Sequence, residues 1–96
     1  MKQIIVYDIS NDRLRERVCH TVQDYGFKRL QYSVYKGSRS RNTLEALSIE
    51  IQDILGDEEA DVRFYLICDK CLEKTMVVSK KGIDDISEVM FPCRAS

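Results

Sequence analysis

Two stretches of helical periodicity, each flanked by extended stretches, most constrain the fold of this 96-residue chain. Apolar residues recur every three to four positions in both. The first pattern predicts a helix that begins at the polar residues 10–12 and ends at Gly26. The second predicts a helix that begins near Asn42, where Glu45 completes a capping box, and ends at Gly56. Each helix therefore has room for a strand on either side.

The remaining apolar stretches have the composition of strands, rich in β-branched and aromatic residues. They span residues 2–9, 27–36, 62–68 and 75–79. Segment 27–36 is either one bent strand or a tight hairpin, and segment 62–68 is apolar on both faces, which predicts a central strand. The resulting order predicts an α+β, ferredoxin-like split βαβ sandwich, with two helices on one face of an antiparallel sheet.

The length is that of a single domain, residues 1–96, with a core at about 2–79 and a C-terminal dimerisation tail at about 80–96. Two helices cover one face of such a sheet and leave the other open. A second copy of the chain is the expected cover, and the apolar cluster Val89-Met90-Phe91 is expected to cross to the partner. Four tyrosines are expected near the open face: Tyr7, Tyr32, Tyr35 and Tyr65.

Charge is unevenly distributed along the chain, although the formal net charge is only −1. Residues 13–41 contain eight Lys or Arg against two acids, whereas residues 42–74 contain nine acids against three bases. A local excess of cations is sufficient for salt-dependent contacts with phosphates. The alternative, from charge alone, is a solvated helix face with basic loops.

The end of the first strand carries a carboxylate beside a run of arginines. Asp8 follows the apolar residues Ile4, Ile5 and Val6, and the helix after it contains Arg15 and Arg17 among its cations. A carboxylate binds hard cations such as Mg²⁺, and guanidinium groups bind phosphate oxygens through paired hydrogen bonds. The combination favours phosphate chemistry.

The first residues contain no apolar run long enough for a signal peptide or a membrane span, so we expect a cytoplasmic protein. In that compartment Cys19 and Cys93 are expected to be reduced thiols, and so are Cys68 and Cys71. Their C-x-x-C spacing lacks the second pair or histidine that would complete a zinc site within one chain.

Several motifs together resemble the CRISPR-associated protein two family. They are the strand end at residues 7–12, the pair Arg15 and Arg17, the segment at residues 29–37 with sequence RLQYSVYKG, and the later strand segment at residues 62–65. The resemblance covers most of residues 2–79. A toxin-type ribonuclease family shares the fold and part of the first motif.

The resemblance implies a homodimer with facing sheets and exchanged C-terminal strands. Family members take part in CRISPR spacer acquisition, in which the dimer bridges the family-one integrase and DNA lies along it. Some members are metal-dependent ribonucleases or deoxyribonucleases. Carried over by position, the catalytic and metal-binding carboxylate is Asp8, and the nucleic-acid-binding positions are Tyr7, Arg15, Arg17, Arg29 and Tyr35.

Two hypotheses follow. The first is an adaptation subunit that binds DNA, or RNA, and bridges the integrase without chemistry of its own. The second is a metal-dependent endonuclease, including a toxin-type ribonuclease, that hydrolyses phosphodiester bonds with Mg²⁺ or Mn²⁺. The sequence offers one carboxylate per chain at the strand end, so the second hypothesis needs two Asp8 side chains that meet across a two-fold axis.

Overall fold

The structure, a computed structural model, describes residues 1–78. Its elements are β1 (Lys2–Ile9), α1 (Asp12–Asp24), β2 (Lys28–Gln31), β3 (Val34–Gly37), α2 (Arg41–Leu55), β4 (Ala60–Ile67) and α3 (Asp69–Glu73). The predicted tail at 80–96, with its apolar cluster, lies outside the described residues.

The four strands form one sheet in the order β2-β3-β1-β4, in which every neighbouring pair is antiparallel. β1 is central, and a helical connection separates it from β2 and separates β3 from β4. This is the predicted α+β, ferredoxin-like sandwich. Segment 27–36 resolves into the hairpin alternative, since β2 and β3 are separate strands joined by a short turn.

The first helix begins where the sequence predicted. Asn11 is the N-cap, and its Oδ1 accepts a hydrogen bond of 3.0 Å from the backbone N–H of Leu14. Val18, Cys19 and Val22 face the sheet and are buried. Gly26 follows the helix with a φ of +96°, a conformation that side-chain-bearing residues rarely adopt.

The second helix begins earlier than predicted. Ser40 is its N-cap, and the Ser40 hydroxyl accepts a 3.2 Å hydrogen bond from the backbone N–H of Thr43. The predicted start near Asn42 is thus off by one residue, and the predicted capping box with Glu45 is wrong. Glu45 lies one turn inside the helix and pairs instead with Arg41 at 3.4 Å. The prediction failed because Ser40 and Asn42 are both good caps, and local sequence does not choose between them.

The fourth strand lies at the edge of the sheet, not at its centre as predicted. Tyr65 and Leu66 are about half exposed, so the expectation that both faces of this strand are covered is also wrong. The short strand predicted at 75–79 is not formed by residues 75–78, which follow the short helix α3 as irregular chain. Met76, Val77 and Val78 are largely exposed there.

Alternation along β1 gives the sheet two distinct sides. Gln3, Ile5, Tyr7 and Ile9 are buried beneath α1 and α2, and this side is called the helix face. The intervening residues Lys2, Ile4, Val6 and Asp8 lie on the other side, which is called the open face. The core therefore lies between the helix face and the helices, where each fully buried aliphatic side chain contributes about 1.5–3 kcal/mol.

Candidate functional site

Asp8 lies on the open face, near the end of β1, and is exposed. Its neighbour Tyr7 points the opposite way because successive side chains in a strand alternate between the two sides. The predicted catalytic carboxylate is therefore accessible to solvent.

A second carboxylate lies opposite Asp8. In the register of β1 and β4, Asp8 pairs directly with Asp61. Directly opposed residues of an antiparallel pair project on the same side with Cβ atoms about 4.5–5.5 Å apart. The sequence predicted that this strand begins at residue 62 and so missed Asp61. The signal that finds it is the register, which requires β4 to begin at Ala60.

An arginine follows on the same side of β4. Arg63 Nε donates a 2.9 Å hydrogen bond to Asp61 Oδ2, and both side chains are more than half exposed. Hydrogen bonding to Tyr65 first, and then to Asp61, raises the pKa of the Arg63 guanidinium, which therefore remains charged. An exposed ion pair of this kind contributes little to stability. Its effect is to place two carboxylates and a cation together on the open face.

A polar cluster lies on the helix face, formed by Tyr7, Cys19, Arg29 and Tyr35. The hydroxyls of Tyr7 and Tyr35 are 3.2 Å apart and their rings stack with centroids separated by 5.8 Å. Arg29 donates to the Tyr35 hydroxyl from Nε at 3.2 Å and from Nη2 at 3.0 Å. Its Nη2 also donates to Cys19 Sγ at 3.1 Å. The cluster joins β1, β2, β3 and α1.

Burial is the main cause that raises the pKa of the Tyr7 hydroxyl, and the hydrogen bond with Tyr35 adds to it, while Arg29 opposes both. Tyr7 therefore remains protonated at physiological pH. It acts as a hydrogen-bonding group of the interior and is unavailable as a general base.

Three predicted nucleic-acid positions thus lie inside the protomer. Tyr7, Arg29 and Tyr35 are 3%, 8% and 0% exposed. The expectation that Tyr7 and Tyr35 lie near the open face is wrong, whereas Tyr32 in the hairpin turn and Tyr65 on β4 are exposed. Direct contact of the three buried side chains with a nucleic acid stays a prediction, and their geometry gives them a packing role.

Arg15 connects the end of β1 to the start of α1. Its Nη1 donates a 2.7 Å hydrogen bond to the backbone carbonyl of Ile9, and its Nη2 pairs with Asp12. The side chain is only 14% exposed, and its Nε is buried without a hydrogen-bond partner among the described residues. Arg15 therefore holds the backbone next to Asp8 in place. Its predicted phosphate contact would require it to leave these partners.

Arg17 is exposed and lies on the helical layer, away from Asp8. It lines a shallow groove between α1 and α2 that also contains Glu50 and Asp53. The structure therefore separates the two features that the sequence placed together, since Asp8 and Arg17 lie on opposite sides of the sheet.

The donor set around Asp8 suits a hard divalent cation. Within residues 1–78, no three Asp, Glu, His or Cys side chains come together as a complete metal site. Asp8 and Asp61 provide two carboxylates, and Mg²⁺ characteristically binds one or two carboxylates and keeps several waters. The pair therefore fits Mg²⁺ better than a metal that needs a full protein cage.

Cys68 and Cys71 are exposed free thiols, as predicted, whereas Cys19 is disulfide-bonded, so the prediction of a reduced thiol is wrong for Cys19. Cys93 lies outside the described residues. None of the helices between residues 1 and 78 is long and apolar enough to cross a membrane.

Comparison with known proteins identifies the family. The sequence profile described as CRISPR associated protein Cas2 matches residues 1–75. The chain therefore belongs to the Cas2 family, as the motifs on β1, α1 and the β2–β3 hairpin indicated.

Individual relatives agree with this assignment. A protein of Chloroflexus aurantiacus named CRISPR-associated endoribonuclease Cas2 2 is 39% identical over 84 residues, which cover 88% of this chain and 99% of the relative. The CRISPR-associated endoribonuclease Cas2 of Desulforudis audaxviator is 33% identical and covers 99% and 93%. The crystal structure of Streptococcus pyogenes Cas2 superposes with a TM-score of 0.68 at 24% identity, covers 82% and 100%, and supports the fold.

Proposed function

We propose that this chain is a metal-dependent endonuclease of the CRISPR system that hydrolyses RNA phosphodiester bonds and acts as a homodimer in the cytoplasm. The observation that carries the proposal is the exposed Asp8 carboxylate with Asp61 directly opposite it in the sheet. The endoribonuclease names of the relatives support the choice of RNA.

Asp8 and Asp61 are the residues that would hold Mg²⁺, with Mn²⁺ as the alternative. When bound, the ion supplies neutralisation of phosphate charge and a lowered pKa for water. The chain contributes orientation. Arg15 fixes the Ile9 carbonyl, so the strand end that carries Asp8 is held rigidly against α1. Like-charged side chains placed directly opposite each other are destabilising, so a cation between Asp8 and Asp61 also relieves a repulsion.

The homodimer completes the site. The centre of the open face contains Ile4, Val6 and Val34, which are only partly buried, and Tyr65, which is 48% exposed. A facing copy would cover this apolar surface. It would also bring the Asp8 and Asp61 pairs of two protomers towards one two-fold axis, and so double the carboxylates available to a shared ion.

The direct test compares Asp8→Asn with wild type in cleavage of a 5′-labelled single-stranded RNA, with Mg²⁺ and with chelator. We expect wild type to cleave only with Mg²⁺ and Asp8→Asn to be inactive while it still dimerises. The matched control is Asp69→Asn, an exposed aspartate at the other end of β4. Cleavage that survives in purified Asp8→Asn, or that persists in chelator, would refute the proposal.

A second function is supported by the cations that remain on the surface. Arg13 and Arg17 are exposed along α1, and Lys28 and Lys36 oppose each other across β2 and β3. Two directly opposed lysines repel each other, and a bound anion such as a phosphate would relieve this repulsion. These residues support the adaptation subunit, which binds DNA and bridges the family-one integrase.

The adaptation function predicts that Arg13→Ala combined with Arg17→Ala weakens binding to duplex DNA and reduces its salt dependence by about two charges. The measurement is fluorescence anisotropy over a series of NaCl concentrations, together with co-purification of the integrase. Unchanged duplex binding would remove α1 from the DNA-binding surface, and a failure to co-purify would remove the bridging role.

A further inference from the structure

The open face contains an arginine that the family motifs do not point to. Two arginines lie in the described strands, Arg29 on β2 and Arg63 on β4. Arg29 lies in the buried cluster on the helix face, whereas Arg63 is exposed on the open face, in register with Val6 and two residues from Asp61. Arg63 is therefore the strand arginine that shares a surface with Asp8.

The guanidinium of Arg63 is held from one side. Its Nε donates to Asp61 Oδ2 at 2.9 Å. An arginine fixed through Nε presents its Nη–H groups as a planar fork, which matches two oxygens of a phosphate. Asp61 thereby orients the Arg63 guanidinium through one of its two oxygens, Oδ2.

Charge explains why such a residue is needed. Asp8 and Asp61 together carry two negative charges and would repel a phosphodiester, which is itself an anion. A cation on the same face of the sheet, two residues along β4 from Asp61, offsets this repulsion and fixes where the phosphate lies. Arg17 cannot do so from the helical layer, and Arg15 is already bound to Ile9 and Asp12.

We propose that Arg63 binds the phosphate on which Asp8 acts, and that Asp61 is the positioning residue that orients Arg63. The inference rests on the proposed nuclease function of the open face. Its substrate class is the RNA phosphodiester of the proposed function, contacted through its backbone and hence without sequence preference.

The test uses the full-length chain, a 5′-labelled single-stranded RNA as the probe, and binding in chelator, so that no cleavage occurs. We expect Arg63→Ala to bind about ten-fold more weakly and to lose about one unit of the salt slope. We expect Arg63→Lys to restore the salt slope but not the full affinity, since lysine lacks the planar fork. With Mg²⁺ present, Arg63→Ala should raise KM more than it lowers kcat.

Arg41→Ala is the matched control, because Arg41 is also an exposed arginine paired with a carboxylate, Glu45, but lies on α2. It should bind RNA as wild type does. An Arg63→Ala protein with wild-type affinity and salt slope would overturn the inference. So would loss of the dimer in sedimentation analysis, since Arg63 would then be an interface residue. An inactive Asp8→Asn beside an unaffected Arg63→Ala would refute this inference alone, whereas an active Asp8→Asn would refute the proposed nuclease itself.

Discussion

Neighbouring residues of β1 lie on opposite sides of the sheet, because side chains alternate along a strand. Tyr7 belongs to the buried cluster with Arg29 and Tyr35, and Asp8 belongs to the open face. A motif that is continuous in the sequence thus divides into a buried packing residue and an exposed carboxylate. Tyr7, Arg29 and Tyr35, the family-motif residues on the helix face, stabilise the sheet whose other face carries Asp8.

Burial of Tyr7 makes the free energy of unfolding depend on pH in the alkaline range. Its pKa is raised in the folded chain, so its stabilising contribution is fully present below the ordinary tyrosine pKa of 10.0 and is lost as the pH rises above it. The unfolded chain then releases a proton that the folded chain retains. Above pH ~10, the unfolding free energy of wild type should fall more steeply than that of Tyr7→Phe, by up to ~1.4 kcal/mol per pH unit. Urea denaturation at several pH values measures this, and parallel curves would contradict it.

Arg15 is predicted to act through the backbone. Replacement by alanine removes the donor to the Ile9 carbonyl and should cost about 1.5–3 kcal/mol of unfolding free energy, as charged hydrogen bonds do. Chemical denaturation measures the loss. An Arg15→Ala protein that is as stable as wild type but weaker in RNA binding would show that Arg15 contacts phosphate instead.

Among the elements, the first strand and both main helices follow from periodicity, whereas the edge position of β4 and the cap of α2 do not. The pattern at 62–68 looked buried on both sides because Tyr65 and Leu66 are apolar, yet β4 is an edge strand. Apolar composition predicts that a surface is buried. It does not predict whether the residues that bury it belong to the same chain or to another copy.

The cap of α2 offers a clean comparison between two neighbouring residues. Ser40→Ala should lower the unfolding free energy by about 1 kcal/mol, because the N–H of Thr43 loses its acceptor. Asn42→Ala lies within the helix and should be neutral or slightly stabilising. Thermal or chemical denaturation of both variants distinguishes them. The reverse order of effects would restore the cap at Asn42.

At the scale of the whole molecule, the half-covered apolar centre of the open face predicts the homodimer. Val6→Asp introduces a charge opposite Arg63 into that centre and should yield monomers, because a facing copy would have to desolvate both charged side chains. Ile49→Asp is the control, since Ile49 is exposed on α2, away from the open face. Sedimentation equilibrium measures both. A dimeric Val6→Asp protein would place the interface elsewhere.

The sequence predicted the topology, since it depends on local pattern, and the role of Asp8 stays a prediction from motifs in one segment. It did not predict the partners of Asp8. Asp61 and Arg63 lie more than fifty positions away along the chain and reach the site through the register of β1 with β4. Likewise, the burial of Arg29 depends on a tyrosine pair drawn from two strands. Long-range register, rather than composition, decides which charged residues share a surface.

The central claim is that two protomers build one catalytic site around a pair of Asp8 side chains. Wild-type and Asp8→Asn chains can be mixed in varying proportion, co-refolded to allow dimer exchange, and assayed for Mg²⁺-dependent cleavage of labelled single-stranded RNA. If both Asp8 side chains are required, activity falls as the square of the wild-type fraction, because mixed dimers are inactive. A linear fall would show that each protomer acts independently and would contradict the account.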